Sequence, residues 1–176
     1  AALLLGLASL LLYSINIDRA PHPDELYHIL AAEGLLATGE PAIGEAGRYW
    51  RGYPLTWLVA QSFALFEPSI GMARLPAVFF MVGLVVLLFL FLHREAGPLA
   101  AWLGAGLFAV SPFSIELAQF VRFYSLQSLL FFAGASIVYA VIVQSGGRIW
   151  LRWRQLLAAL FAVLLMVWAV QLQPTT

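Results

Sequence analysis

The chain contains no cysteine and no lysine, and only 10% of its residues are charged. Without cysteine it forms neither a disulfide framework nor a thiolate metal site. Soluble domains carry about 25% charged residues, so a sequence this poor in charge does not cover a water-facing surface. Its nine basic residues are all arginine, balance nine acidic residues and form no long basic run. This pattern argues against a nucleic-acid partner.

Hydrophobic residues make up 62% of the chain, and its mean hydropathy is +0.91. A helix that crosses the hydrocarbon core needs about 20 mostly apolar residues. The sequence therefore predicts an all-α, polytopic transmembrane helical bundle of about five spans, which forms a single membrane domain over residues 1–176. The five predicted spans are Ala1–Ile17, Leu75–His93, Leu99–Val110, Tyr124–Gln144 and Gln155–Val170.

Residues 18–74 differ from the rest, because they hold most of the charges together with several glycines and prolines. Within them, Asp24–Thr38 has the spacing of an amphipathic helix, which Gly39 and Pro41 end. Tyr53–Phe66 is apolar over 14 residues, a length typical of a helix that lies at the interface. The apolar face predicted for the first of these helices consists of Leu26, Ile29, Leu30, Leu36 and Ala37.

The distribution of arginine predicts which side each loop occupies, since short Arg-rich loops stay cytoplasmic. With Tyr53–Phe66 at the interface, residues 18–74 and 111–123 share one side, which is mainly acidic. The other side is mainly basic. We therefore expect the acidic side to face outward, as the periplasmic face of the cytoplasmic membrane of a prokaryote. The charges on the basic side are Arg94, Arg148, Arg152 and Arg154, against Glu95.

Asp24 and Glu25 are adjacent carboxylates at a predicted helix start just after a span. A carboxylate there can accept a proton from a hydroxyl or hold a divalent cation. Asp24 and His28 are four residues apart and so share a helix face. Two alternatives remain open. Asp24 and Glu25 can serve the helix start as capping residues, and His22, Asp24 and His28 can form a zinc site.

Arg122 lies among apolar residues close to a predicted span, where a charge is costly and tends to be functional or paired. Its guanidinium can bind a phosphate through two parallel hydrogen bonds, or it can extend from a helix end to the headgroups. Glu116 is a candidate ion-pair partner for Arg122, or it faces water. Arg74, at the outer end of a span, is interpreted first as a headgroup anchor and second as a phosphate ligand.

Taken in order, four motifs resemble those of membrane glycosyltransferases of the C-type fold. They are Pro23-Asp24-Glu25, Ala73-Arg74-Leu75-Pro76, Ser111-Pro112-Phe113, and Gln119-x-x-Arg122-x-Tyr124. The pattern is closest to the dolichyl-phosphate-mannose protein mannosyltransferases and the lipid A aminoarabinose transferases. It covers roughly residues 18–144, and it implies that this chain is the N-terminal part of a longer protein, inactive by itself.

The resemblance implies transfer of a sugar from a polyprenyl-phosphate donor to a lipid, glycan or protein acceptor at the outer membrane face. It places Asp24 and Glu25 in catalysis, with Asp24 as the general base of an inverting reaction. Phe120 stands where many members carry a carboxylate, so a divalent metal, with Asp24 as its possible ligand, is left undecided. The residues expected to bind substrate or phosphate are Arg122, Arg74, Gln119, Tyr124 and His28.

The alternative to an enzyme is a non-enzymatic polytopic protein, either a transporter or a lipid-handling scaffold. Such proteins place polar groups and broken helices near the middle of the bilayer. The predicted spans here are nearly free of polar groups, and the charges gather at one face. The sequence therefore favours chemistry at the membrane surface over passage through the membrane.

Overall fold

The computed structural model describes residues 1–44, 47–145 and 153–172. Those residues form seven α-helices, which confirms the all-α prediction. Three helices are long and apolar enough to cross a membrane, namely α4, α6 and α7. The helices are α1 (Ala2–Ser14), α2 (Pro23–Thr38), α3 (Tyr53–Leu65), α4 (Ile70–Ala109), α5 (Pro112–Ala118), α6 (Tyr124–Ser145) and α7 (Trp153–Gln171).

Helix α4 joins two of the predicted spans through a break at Gly97. Gly97 has φ +88 and ψ 176, a conformation that glycine adopts without steric cost. The segment after it folds back on the first, since the Trp102 ring meets Phe89 edge-on at 5.4 Å. Gly104 allows the close approach, because a Cβ there would lie 2.5 Å from Leu92 Cδ1. The second limb, residues 98–109, is therefore shorter than a usual span.

Helix α1 is also shorter than predicted. It ends at Ser14, and Asn16 adopts a left-handed conformation with φ 55, so the predicted span Ala1–Ile17 contains 13 helical residues. At 1.5 Å per residue, that is about 20 Å. The helix packs against α4, and Tyr13 and Met81 are fully buried in the largest apolar cluster.

Helix α2 spans almost the predicted residues because its end signals are local. His22 is the N-cap, with a side chain that accepts from the Asp24 backbone N–H, and Gly39 ends the helix in the left-handed conformation with φ 78. Four of the five residues of the predicted apolar face, however, are exposed, with Leu26 41% and Leu30 47% exposed. Of this face, Ile29 alone packs against a buried cluster. The face buried in the protein instead carries Glu25, His28, Ala31 and Ala32.

Residues 39–44 and 47–52 lie antiparallel to each other, here called the hairpin, and return the chain to α2. The Tyr49 backbone N–H donates to the Pro41 carbonyl at 2.8 Å, and Ala42 pairs with Arg48 as an antiparallel bridge. Gly34 on α2 is needed here, since a Cβ at that position would collide with the backbone of Ala42. The hairpin thereby places Tyr49 beside the first turns of α2.

The two ion pairs with the least exposed arginines, Glu25–Arg74 and Asp24–Arg122, lie at one end of the bundle. This end is here called the charged end and is defined as residues 15–28, 49–56, 69–74 and 119–124. The Gly71 backbone N–H at the start of α4 donates to Asp18 Oδ1 at 2.8 Å. At the opposite end, beside the Gly97 break, Arg94 pairs with Glu95 at 3.2 Å. Arg148 and Arg152 lie outside the described residues, and the side of the membrane that each end faces stays a prediction.

Candidate functional site

The most buried charges of the described chain are Glu25 and Arg74, which form a two-pronged ion pair at the charged end. Arg74 Nε donates to Glu25 Oε1 at 3.0 Å, and Nη2 donates to Oε2 at 2.8 Å. Their side chains are only 2% and 1% exposed. The interpretation of Arg74 as a headgroup anchor is therefore wrong, since a buried guanidinium does not reach lipid headgroups.

Backbone groups complete the hydrogen bonding of this pair. Glu25 also accepts from the backbone N–H groups of His22, at 2.8 Å, and Val121, at 3.0 Å. Arg74 Nη1 donates to the carbonyls of Ile17, at 2.6 Å, and Arg19, at 3.0 Å. Burial by itself raises the pKa of Glu25, but the hydrogen bonds from Arg74 and from the two amides outweigh burial and leave the pKa below its ordinary value.

This network explains how the charged end is assembled. One carboxylate and one guanidinium connect the chain after α1, the start of α2, the start of α4 and the link between α5 and α6. The capping interpretation is confirmed for Glu25, which forms a capping box with His22, whereas Asp24 is not the N-cap. The oxygens of Glu25 and the nitrogens of Arg74 all have protein partners. The catalytic role of Glu25 and the phosphate contact of Arg74 stay predictions.

Asp24 directly precedes Glu25 in α2 and forms a second, more exposed ion pair with Arg122. The distance from Arg122 Nη2 to Asp24 Oδ2 is 2.6 Å, with the two side chains 11% and 45% exposed. The hydrogen bond from Arg122 is the main reason why the pKa of Asp24 falls below its ordinary value. Arg122 does not extend to the headgroups, since its guanidinium is enclosed by protein.

Tyr49 is the residue of this site that the sequence did not reveal. Its hydroxyl accepts a hydrogen bond from Arg122 Nη1 at 3.1 Å. Its ring stacks on Tyr27 with centroids 5.5 Å apart and meets His28 edge-on at 5.0 Å. Burial raises the pKa of Tyr49, and the positive charge of Arg122 partly opposes this effect. Tyr49 thus keeps the guanidinium in place as a neutral hydroxyl.

His28 is fully buried beside this cluster. Its Nδ1 lies 2.9 Å from Thr56 Oγ1, and its Nε2 has no hydrogen-bond partner among the described residues. Burial, reinforced by the positive charges of Arg122 and Arg51, lowers the pKa of His28 to about 3. His28 is therefore neutral at physiological pH and packs between Tyr49 and Phe123.

The neutral state of His28 predicts a loss of stability in acid. Below pH 6.5, the ordinary pKa of histidine, His28 is protonated in the unfolded chain but stays neutral in the folded protein down to about pH 3. The free energy of unfolding therefore falls as the pH falls through this window. The expected slope is up to about 1.4 kcal/mol per pH unit. His28→Asn keeps a polar side chain opposite Thr56 that does not take up a proton. The unfolding midpoint of this variant in detergent should therefore change less between pH 7 and pH 4 than that of the unsubstituted chain.

The control for this experiment is the same titration of a variant that alters an exposed imidazole, His22→Asn, which removes no buried group. Tryptophan fluorescence during thermal unfolding measures both. Equal pH slopes for His28→Asn and the unsubstituted chain would show that His28 takes up its proton normally in the folded protein.

Gln119 and Tyr124 have different positions relative to the cluster. Gln119 Nε2 donates to the carbonyls of Tyr13, at 2.9 Å, and Ile15, at 2.7 Å, and so caps the end of α1 rather than facing Asp24. Tyr124 stacks at an angle on Phe123, with centroids 4.8 Å apart. It lies close enough to Arg122 to influence the pKa of that guanidinium.

The zinc hypothesis is wrong for the part of the chain that the structure describes, where no group of three or more His, Asp or Glu side chains is placed to hold a metal. His22 Nδ1 accepts from the Asp24 backbone N–H at 3.2 Å, and His28 turns inward to Thr56. Glu116 pairs with Arg19 at 2.9 Å rather than with Arg122. A metal ion at Asp24 would have to share that carboxylate with Arg122.

Two apolar cavities of about 390 and 490 Å³ lie side by side along α5 and α6, with Phe113, Leu117, Ser128 and Phe131 in the wall of both. The second reaches Tyr124, at the start of α6. Together they form an open apolar groove, here called the α5–α6 groove, that ends two residues from Arg122 in the sequence.

Comparison of the chain with protein-family models, with curated proteins and with solved structures finds no match. The site described above therefore rests on its own geometry.

Proposed function

We propose that this chain is part of an integral membrane glycosyltransferase that moves a sugar from a polyprenyl-phosphate donor to an acceptor hydroxyl. The observation that carries the proposal is the pairing of Asp24 with Arg122 at 2.6 Å, where the carboxylate is 45% exposed at the charged end. An accessible base beside a fixed cation is what such a transfer requires. The motif resemblance of the sequence points to the same reaction.

In this reaction, the acceptor oxygen attacks the anomeric carbon of the donor sugar. The new bond forms between that carbon and the acceptor oxygen, and the bond to the phosphate oxygen breaks. The electron pair leaves on the phosphate oxygen, and the acceptor proton passes to an Asp24 carboxylate oxygen. The product has inverted configuration, and the released polyprenyl phosphate carries the charge that Arg122 stabilises.

Arg122 suits this role because Tyr49 orients it and protein encloses it. A guanidinium with low exposure interacts more strongly with a phosphate than one in bulk water. Arg51 adds positive charge, since it lies near enough to contribute to the lowered pKa of Asp24 and to offset part of the rise in the pKa of Tyr49. Glu25 and Arg74 support the site by fixing the first turn of α2, which carries Asp24, and the backbone of Val121, which precedes Arg122.

The α5–α6 groove is a suitable place for the polyprenyl chain of the donor. Its walls are apolar, and its upper end at Tyr124 brings a lipid headgroup close to Arg122. In this arrangement α4, α6 and α7 cross the membrane, while the outward apolar face of α2 and the short helix α3 lie at the interface. The charged end then faces outward, as the arginine distribution predicts.

The test is an assay, in membranes, of the whole protein that contains this chain, with a polyprenyl-phosphate sugar that carries a radiolabel. Transfer of label to an endogenous lipid, glycan or protein acceptor supports the proposal. The alternative, a transporter or lipid-handling scaffold, predicts substrate-dependent movement of label across sealed vesicles with no new glycosidic bond. Movement without transfer would overturn the enzymatic proposal.

A further inference from the structure

The guanidinium of Arg122 is already occupied by protein groups. Nη2 binds Asp24 at 2.6 Å, Nη1 donates to Tyr49 at 3.1 Å, and the buried Nε has no partner among the described residues. A phosphate that approaches this guanidinium from solvent therefore meets the Asp24 carboxylate first. Two anions on one cation repel each other, so they do not bind it equally well at the same time.

The two partners of this ion pair differ in their freedom to move. Arg122 is 11% exposed and is held by Tyr49, whose ring is fixed between Tyr27 and His28. Asp24 is 45% exposed and lies in the first turn of α2, on the solvent side of the pair. When an anion displaces one partner, the carboxylate turns away, and the guanidinium stays.

We propose that the donor phosphate and Asp24 compete for Arg122, so that donor binding releases the Asp24 carboxylate and makes it available to the acceptor hydroxyl. This inference rests on the proposed function and adds an order to it, with the donor bound before the base becomes free. A carboxylate that loses a hydrogen bond from a cation accepts a proton more readily. The same arginine thus neutralises the leaving group and controls the base.

The first test is equilibrium binding of a polyprenyl monophosphate, which has no sugar to transfer, to the full chain in lipid nanodiscs. Asp24→Asn removes the competitor and should tighten binding by about two- to fivefold, the scale of one partly exposed ion pair. Glu33→Gln removes one negative charge from the same helix at an exposed position, and its affinity should equal that of the unsubstituted chain. Thermal unfolding confirms that both variants are folded.

The second test distinguishes a change of partner from a general effect of charge. The aspartate carboxylates are labelled with ¹³C, and the infrared band of Asp24 is identified as the one that is lost in Asp24→Asn. In the unsubstituted chain, this band should shift when polyprenyl monophosphate is added. No shift, with unchanged or weaker binding by Asp24→Asn, would overturn the competition.

The phosphate site itself is checked separately with Arg122→Lys, which keeps the charge and loses the two-pronged geometry. If this variant binds at least tenfold more weakly while Asp24→Asn shows no gain, the competition fails and the proposed function survives. If the unsubstituted chain does not bind polyprenyl monophosphate, the proposed function fails, and the competition fails with it.

Discussion

Replacement of Asp24 by Asn in the whole protein that contains this chain is expected to reduce sugar transfer by about 10²–10⁴-fold, the range for removal of a positioned general base. Asparagine keeps the size of the side chain, but it carries no charge to pair with Arg122 and does not accept a proton. The loss should therefore fall in kcat, whereas donor binding should not weaken. Rates measured with a labelled polyprenyl-phosphate sugar in membranes, over a range of donor concentrations, separate kcat from KM.

Two further variants make this result specific. Glu33→Gln changes a carboxylate to an amide on an exposed part of the same helix, outside the site, and should transfer sugar at the original rate. Asp24→Glu keeps the carboxylate one methylene further out and should recover part of the activity. Full activity of Asp24→Asn would limit Asp24 to its ion pair with Arg122, and the base would have to come from another group.

The pH dependence of sugar transfer is an independent test of Asp24 as the general base. Since the hydrogen bond from Arg122 holds the pKa of Asp24 below its ordinary value of 3.8, the carboxylate of the free protein is ionised throughout the neutral range. The acid limb of kcat/KM, which reports the free protein, should therefore lie below pH 3.8, and activity should fall as the pH falls through it. This limb should be absent from the residual activity of Asp24→Asn.

The sequence predicted those features whose signals are local. Helix α2 was placed within one residue, because the acidic first turn at Asp24 and Glu25 marks its start and Gly39 with Pro41 marks its end. The long helices followed from uncharged apolar runs of sufficient length. The break at Gly97 and Pro98 falls between two predicted spans for the same reason, since both residues favour it in any surroundings.

Features that depend on distant partners were not predictable. The buried face of α2 carries Glu25 because Arg74 and the Val121 backbone N–H neutralise it, and these lie 49 and 96 residues further along the chain. Hydrophobic periodicity assigns such a face to solvent. Tyr49 was missed because only the register of the hairpin, which no motif in the loop specifies, brings its hydroxyl to Arg122.

The buried pair of Glu25 and Arg74 gives the largest stability effect that we expect. Glu25→Gln leaves the Arg74 charge without a partner in a site that is 1% exposed, and loss of one member of a buried pair costs about 3–5 kcal/mol. Arg74→Met should cost a similar amount, because it strands the Glu25 carboxylate and the carbonyls of Ile17 and Arg19. Chemical unfolding in detergent, followed by tryptophan fluorescence, measures both losses.

The exposed pair of Glu40 and Arg48 is the matched control, with 2.6 Å between Oε2 and Nη2 and side chains 48% and 57% exposed. Glu40→Gln makes the same chemical change as Glu25→Gln, but solvent screens the charge that remains. We expect a loss below about 1 kcal/mol. Equal losses at the two glutamates would show that the Glu25 site admits water.

The double variant Glu25→Gln/Arg74→Met tests whether the two side chains act as one unit. Once the carboxylate is gone, removal of Arg74 also removes the stranded charge, so the double variant should lose about as much as either single variant. The coupling between them should therefore approach the upper end of the usual range, about 3 kcal/mol. Additive losses would mean that each residue stabilises the fold through its backbone contacts alone. Because the pKa of Glu25 is lowered, the coupling should be complete above pH 4.5 and should decline as the pH falls below it.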